Sequence, residues 1–298
     1  MTKQEVKDIA EAVSAVNRRD VWHKRWRNLA LLLLVVLLSQ WFSRGGSQPE
    51  AKVLDHIAMI HIDEPISLRS EFWEQFEKVN MQTKAAIVIM NSPGGGIGDS
   101  ERLYHEIAAL NAKMPLTVLV ENSATSGAYM GALGSDRIYA YNSSIIGSVG
   151  VVFSNLIVKE LMEKIGIREE KITTGRYKGY PNSFEDMPAE VRQHLQIMLE
   201  EDNQWFLDLI VKRRGLNQKS VQAIKDAQVY AAKSSLSLGL IDGISTRQEQ
   251  IAWLKEQVGD LTVKDLSIDE SDHFGLSKFI LKSQRRALKG MLSDLMLG

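Results

Sequence analysis

Two rhythms of apolar and polar positions run through the chain between residues 56 and 258. His56–Ile62 (HIAMIHI) alternates as a strand does, while residues 85–90 (AAIVIM) and 116–120 (LTVLV) are continuous apolar runs. Such runs are the pattern of strands covered on both faces of a parallel sheet. Between them, residues 68–80 place Phe72, Trp73 and Phe76 on one helical face, and residues 99–111 place Leu103, Ile107 and Leu110 on another. Strands alternating with helices predict right-handed βαβ crossovers and a layered α/β fold. Farther on, the pattern predicts short strands over 137–141 and 145–152, a helix over about 155–165 and a strand over 171–174 ended by Gly175. An irregular stretch, Arg176-Tyr177-Lys178-Gly179-Tyr180-Pro181, follows. Then come a long helix over 188–214, a shorter one over 218–226, the segments 229–238 and 240–243, and a closing helix from Ser245 to about Val258.

The flanks have a different texture. Residues 1–28 are polar and charged, with Val6, Ile9, Ala10, Val13 and Val16 at helical spacing. Arg18, Arg19, Lys24, Arg25 and Arg27 then crowd against an apolar run over 29–42. That run is shorter than the roughly 17–25 residues of a spanning helix, but Trp22, Trp26 and Trp41 are placed to extend it at the two interfaces. A cleaved signal peptide competes with an uncleaved anchor, and the long basic leader favours the anchor. Basic residues stay on the cytoplasmic side, so the rest of the chain is expected outside. The domain plan is therefore a cytoplasmic segment (1–28), a transmembrane signal anchor (29–42), a linker (43–55), a folded domain (56–258) and a C-terminal segment (259–298). The last carries Leu276, Ile280, Leu288, Leu292 and Leu295 among Lys and Arg, a basic amphipathic helix suited to an anionic membrane surface or a partner groove.

Composition narrows the chemistry. The formal net charge of -1 gives no pull toward nucleic acid. With no cysteine there is no disulfide, thiol catalysis or cysteine metal site, and the six histidines are scattered without metal-ligand spacing. Neither metal nor cofactor is expected. Attention falls on three loops. Asn91-Ser92-Pro93-Gly94-Gly95-Gly96 follows a buried strand and precedes a helix, so its N–H groups can point into one concavity. It lacks the endings of a phosphate or dinucleotide loop, and a carbonyl oxyanion suits it better. Ser126 stands at a strand-to-helix turn and is either a helix N-cap or an exposed nucleophile. The third loop is Gly175-Arg176-Tyr177-Lys178. A nucleophilic serine needs a base. His105 has charged helical neighbours and reads as a surface residue, His194 is the next histidine along, and a desolvated lysine would also serve. The residues alone do not choose among the lysines.

NSPGGG, TSGAYM, SSIIGSVGV and TTGRYKGYPNSF, in that order and spacing, resemble the SppA family of signal peptide peptidases, in its half-length bacterial form. The resemblance runs from about residue 56 to 258. It implies the Clp protease/crotonase-like fold, a βαβ superhelix here behind a single N-terminal transmembrane helix. It assigns Ser126 as nucleophile, Lys178 as general base and Ser148 as the residue orienting the lysine amine. It places the oxyanion hole at Gly94, Gly95 and Gly127. In half-length relatives the active form is a ring in which serine and lysine come from adjacent subunits, so a homo-oligomer with an inactive monomer is expected. The implied function is a membrane-anchored serine endopeptidase degrading cleaved signal peptides and other apolar peptides. The implied place is the bacterial inner membrane, with the catalytic domain periplasmic. Two departures stand out. Thr125-Ser126-Gly127-Ala128 replaces the usual Ala-Ser-Gly-Gly, and Ala227-Gln228-Val229 replaces Gly-Arg-Val. Competing readings are a protease dedicated to one membrane protein, an acyl-CoA-binding protein of the same fold, and a non-catalytic membrane scaffold.

Overall fold

The computed structural model describes residues 54–267, together with Leu34. The chain divides into two units, Met1–Leu54 and Asp55–Gly298. In the first, Leu34 is helical and exposed. The remainder of the anchor expected over 29–42, the leader before it and the amphipathic helix expected near the C-terminus lie outside the described residues. Among the described residues no helix is long and apolar enough to cross a membrane.

The second unit is mixed α/β around a largely parallel sheet. In chain order its strands are β1 (His56–Ile62), β2 (Thr83–Ser92), β3 (Leu116–Thr125), β4 (Ile138–Ala140), β5 (Ile145–Gly147), β6 (Val229–Ala231), β7 (Gly243–Ile244) and β8 (Thr262–Asp265). Its helices are α1 (Trp73–Glu77), α2 (Ile97–Asn111), α3 (Gly127–Ala132), α4 (Lys159–Lys164), α5 (Ala189–Arg214), α6 (Gln218–Ile224), α7 (Ala232–Leu238) and α8 (Arg247–Val258). The sheet order is β6-β5-β3-β2-β1-β8, with β4 pairing β3 and β7. Every pairing is parallel except β5 with β6.

The central strands carry their apolar runs, 85–90 of β2 and most of 116–120 of β3, where both of their faces are covered. Ala58, Ile60 and Ile62 of β1 and Ala86, Val88 and Met90 of β2 point into the larger core, with Leu103, Ile107, Tyr129 and Phe206. Ile57, Met59, Ala85, Ile87 and Ile89 point the other way, against Leu254 of α8. Successive side chains alternate between faces, as the pleat requires. Tyr129 is fully buried and donates its hydroxyl to Leu240 O at 2.7 Å, which satisfies the one polar atom it brings inside.

Several expected elements differ in extent. The helix expected over 68–80 forms only at α1. Ahead of it, Ser70 Oγ takes the Ser67 N–H and donates to Pro65 O, drawing the backbone into turns instead. The strand expected over 171–174 is absent. Its Ile172 is almost fully exposed and no neighbouring strand offers a ladder, and alternation alone does not hold an extended segment in a sheet. The strand expected over 145–152 stops at Gly147, and the helix expected over 155–165 forms at α4. β8 is short and polar and carries no sequence signal of its own; β1 recruits it.

Candidate active site

The site is assembled where β2 and β3 end. The two strands run in register from Ala86 beside Leu116 to Met90 beside Val120, and then slip, so that Ser92 pairs with Ala124. Four residues of β3 are thereby spent against two of β2. The slip carries Thr125 and Ser126 alongside the glycine loop. β3 also changes partner on its other side: Val118, Leu119 and Val120 pair with β4, whereas Ser123, Ala124 and Thr125 pair with β5.

Ser126 caps this strand at φ 53 and ψ -125, directly before α3. A non-glycine residue held there costs on the order of 1–3 kcal/mol. The turn is held by Ser126 N–H donating to Gly147 O at 2.8 Å and by Met130 N–H reaching back to Ser126 O at 3.1 Å. No side-chain cap bond forms. The Ser126 hydroxyl is thus not engaged as an N-cap, and the residue is half-buried at the mouth of the turn.

The glycine loop lies against it. A Cβ on Gly94, whose φ is +100, would fall 2.8 Å from Gly127 N and 3.0 Å from Ser126 Cβ. A Cβ on Gly127 would fall 1.9 Å from Ser100 Oγ and 3.2 Å from Gly95 N. Only glycine lets these backbones approach so closely. Gly127 opens α3, so its N–H has no intrahelical acceptor, and Gly95 N–H makes no hydrogen bond among the described residues. The two backbone nitrogens therefore lie close together beside Ser126, and neither N–H is paired among the described residues. The Gly94 N–H differs: it donates to Ser92 Oγ at 3.2 Å.

Ser148 stands on the other side. Thr125 pairs with Gly147 and Ser126 N–H donates to Gly147 O, so Ser126 and Ser148 each follow the last paired residue of adjacent strands. Ser148 also has positive φ, 52, and its N–H donates to Gln228 O at 2.8 Å. A Cβ on Gly147 would meet that same carbonyl at 2.7 Å. Ala227, at the position where the SppA pattern favours glycine, has φ 52. The departure seen in the sequence thus sits at a left-handed residue that glycine would occupy without strain.

Lys178 is placed differently from the two serines. It lies in a turn closed by its N–H to Gly175 O at 3.1 Å, and it is exposed. Among the described residues no hydrogen bond joins its Nζ to Ser126 or Ser148. The turn is stapled from behind by Glu185, which accepts from Lys171 Nζ at 3.0 Å and from Tyr180 Oη at 2.5 Å. Those hydrogen bonds, from Tyr180 first and then Lys171, hold the Glu185 carboxyl below its ordinary range. His105 is exposed beside Glu101, and His194 is exposed on α5. Among the described residues no group of His, Asp or Glu is arranged to hold a metal ion.

A family model described as Peptidase family S49 matches residues 108–260. Over 200 residues the chain is 30% identical to a protein of Methanocaldococcus jannaschii provisionally named a protease, covering 66% of this chain and 64% of that one. It is 27% identical over 203 residues to an Enterococcus faecium protein provisionally named signal peptide peptidase SppA, covering 66% and 59%. It is also 27% identical over 222 residues to the chloroplastic serine protease SPPA of Arabidopsis thaliana, covering 71% and 33%. The chain spans less than two thirds of the length of each of these relatives. Ser126, Ser148 and Lys178 all fall inside the matched residues, and the chain belongs to peptidase family S49, a family of serine peptidases.

Proposed function

We propose that the chain is a Ser–Lys endopeptidase of the Clp protease/crotonase-like fold, with Ser126 as nucleophile. The observation that carries this is the strained Ser126 turn, with a free hydroxyl and the unpaired backbone nitrogens of Gly95 and Gly127 close beside it. The Lys178 amine takes the Ser126 proton as Oγ attacks a peptide carbonyl. Gly95 and Gly127 donate to the oxygen that becomes negative; such donors are commonly worth about 10²–10³ in rate each. The Lys178 ammonium then protonates the leaving amine, and water hydrolyses the acyl-enzyme. Ser148, just past the end of the adjacent strand, accepts from the amine and aims it. Gly94 contributes its close approach to Ser126 rather than its N–H.

Lys178 reaches a serine by assembly. Apart from Val191, no residue from 150 to 205 is buried, although Val152, Leu156, Leu161 and Ile172 are each more than half exposed. Apolar surface on this scale marks an interface. A ring of identical chains covers it and lays the lysine of one subunit against the serine of the next. The substrates are apolar peptides, cleaved signal peptides among them, met at a bacterial inner membrane by a domain anchored through residues 29–42 and facing the periplasm. The reading of substrate and place rests on the basic leader and apolar run in the sequence and on the resemblance.

The test is hydrolysis of an apolar fluorogenic peptide by the full chain. Ser126→Ala and Lys178→Ala each lower kcat by about 10⁴–10⁶ while leaving the assembly intact. Activity that survives Lys178→Ala would return the role of base to a histidine such as His194.

A further inference from the structure

We propose that the Ser92 hydroxyl is a positioning residue for catalysis, keeping the Gly95 N–H turned toward the oxyanion. The inference rests on the reading of Ser126 as nucleophile. A loop of three glycines is a poor oxyanion hole unless something holds it. The peptide joining Gly94 to Gly95 is planar, and its C=O and N–H point in opposite directions. With Gly94 at φ +100 and no side chain on either residue, no Cβ restrains the dihedrals on either side of this peptide, so its orientation must be held by hydrogen bonds. Turned over, it would present Gly94 O, not Gly95 N–H, to the developing negative charge.

The polar groups around that peptide are each accounted for. On one side, Gly94 O accepts from Ile66 N–H at 2.8 Å, and Gly96 N–H donates to Ile66 O at 3.3 Å. The strap carrying Ile66 therefore pulls the Gly94 carbonyl away from Ser126 and leaves Gly95 N–H facing it. Ser92 ties strap and loop together. Its hydroxyl is fully buried, donates to Glu64 O at 2.7 Å, and accepts from Gly94 N–H at 3.2 Å. A single side chain thus holds the strap one residue short of Pro65 and the loop at Gly94 itself. Without it, Glu64 O and Gly94 N–H both lose their partner inside the protein, and both are freed to move.

Ser92 does not touch the reacting atoms, so its removal alters the population of correctly turned loop, not substrate binding. In the full chain, Ser92→Ala is expected to lower kcat by about 10–100-fold, less than outright loss of a donor. KM stays within about twofold, and the midpoint of the pH–rate profile does not move, because nucleophile and base are untouched. A merely structural hydroxyl would lower the melting temperature and leave kcat per folded molecule unchanged, and that result overturns the proposal. Should Ser92→Ala fail to fold, Ser92→Cys fills nearly the same space with a weaker donor and acceptor. It is expected to lower kcat in the same direction, and a folded Ser92→Cys chain with wild-type kcat overturns the proposal equally. Ser126→Ala run alongside separates the two claims. If it stays active, the reading of the nucleophile fails. If it is inactive while Ser92→Ala is fully active, only the role of Ser92 fails.

Discussion

The two halves of the candidate site are held in opposite ways. Around Ser126 the backbone is tied down on every side, and the Gly95 and Gly127 N–H groups are left unpaired among the described residues. Gly147 fixes the serine N–H, Ser92 and Ile66 fix the glycine loop, and Thr125 Oγ1 donates to Pro93 O at 3.1 Å. Around Lys178 there is a local staple of Lys171, Tyr180 and Glu185 at the surface and no core beneath it. A peptidase needs its nucleophile and oxyanion donors set before substrate arrives, because donors that must reorganise during the reaction lose most of their worth. A base can be delivered later. On the proposed reading, the difference teaches that the chain builds the oxyanion half by folding and leaves the proton-transfer half to assembly.

The largest effect that would break this comparison is expected on the exposed segment. Ile172 is 93% exposed in the single chain, so a charge there costs the isolated fold almost nothing. If a neighbouring subunit covers it, Ile172→Asp buries an unpaired carboxylate, and both assembly and activity are lost while the melting temperature of the monomer stays within about 2 °C. Sedimentation velocity and peptide hydrolysis, measured together, check this. An assembled, active Ile172→Asp chain would mean that the surface is not an interface.

A smaller effect is expected in the well-held half. Glu121 on β3 accepts from Arg247 Nε at 2.7 Å and Nη2 at 2.8 Å, and from Tyr141 Oη at 3.0 Å. Burial pushes its carboxyl up, but these hydrogen bonds and the Arg247 charge outweigh burial and hold it below its ordinary value. The folded chain therefore releases this proton more readily than the unfolded chain. The stability it adds is complete above the ordinary carboxylate range and is lost as pH falls through the lowered folded value. Glu121→Gln should cost about 1–2 kcal/mol at neutral pH, roughly 2–8 °C in melting temperature, and should flatten the acid limb of the melting-temperature profile. An acid limb of unchanged slope would show that the pair contributes nothing. The exposed pair of Lys159 with Asp186 is the contrasting case, where substitution is expected to leave the melting temperature unchanged.

The parts of this architecture visible in sequence are those that a single periodicity dictates. His56–Ile62 coincides with β1, and the apolar runs at 85–90 and 116–120 form the cores of β2 and β3. The glycine loop and the serine turn were also legible, because glycine and a strand-to-helix boundary carry local meaning. What periodicity does not encode is partnership. The alternation at 171–174 resembles a strand, yet no strand lies beside it, whereas polar Thr262–Asp265 becomes β8 because β1 offers an open edge. Ser92 was visible as a letter of NSPGGG but not as a clamp. Its two partners, Glu64 O and Gly94 N–H, are backbone groups, and the first lies 28 residues away. The strain at Ala227 was signalled only by contrast with a family glycine; its φ of 52 gives that contrast a physical meaning.

Mixing two inactive variants tests the central claim most directly. Ser126→Ala chains retain Lys178, and Lys178→Ala chains retain Ser126. If serine and lysine of one site come from adjacent subunits, co-assembly of equal amounts restores about a quarter of wild-type activity, because that share of interfaces joins two intact groups. Restored activity that appears only after the chains are dissociated and reassembled together is the predicted result. No recovery from co-assembled, folded chains would place both residues of each site within one subunit and contradict the account.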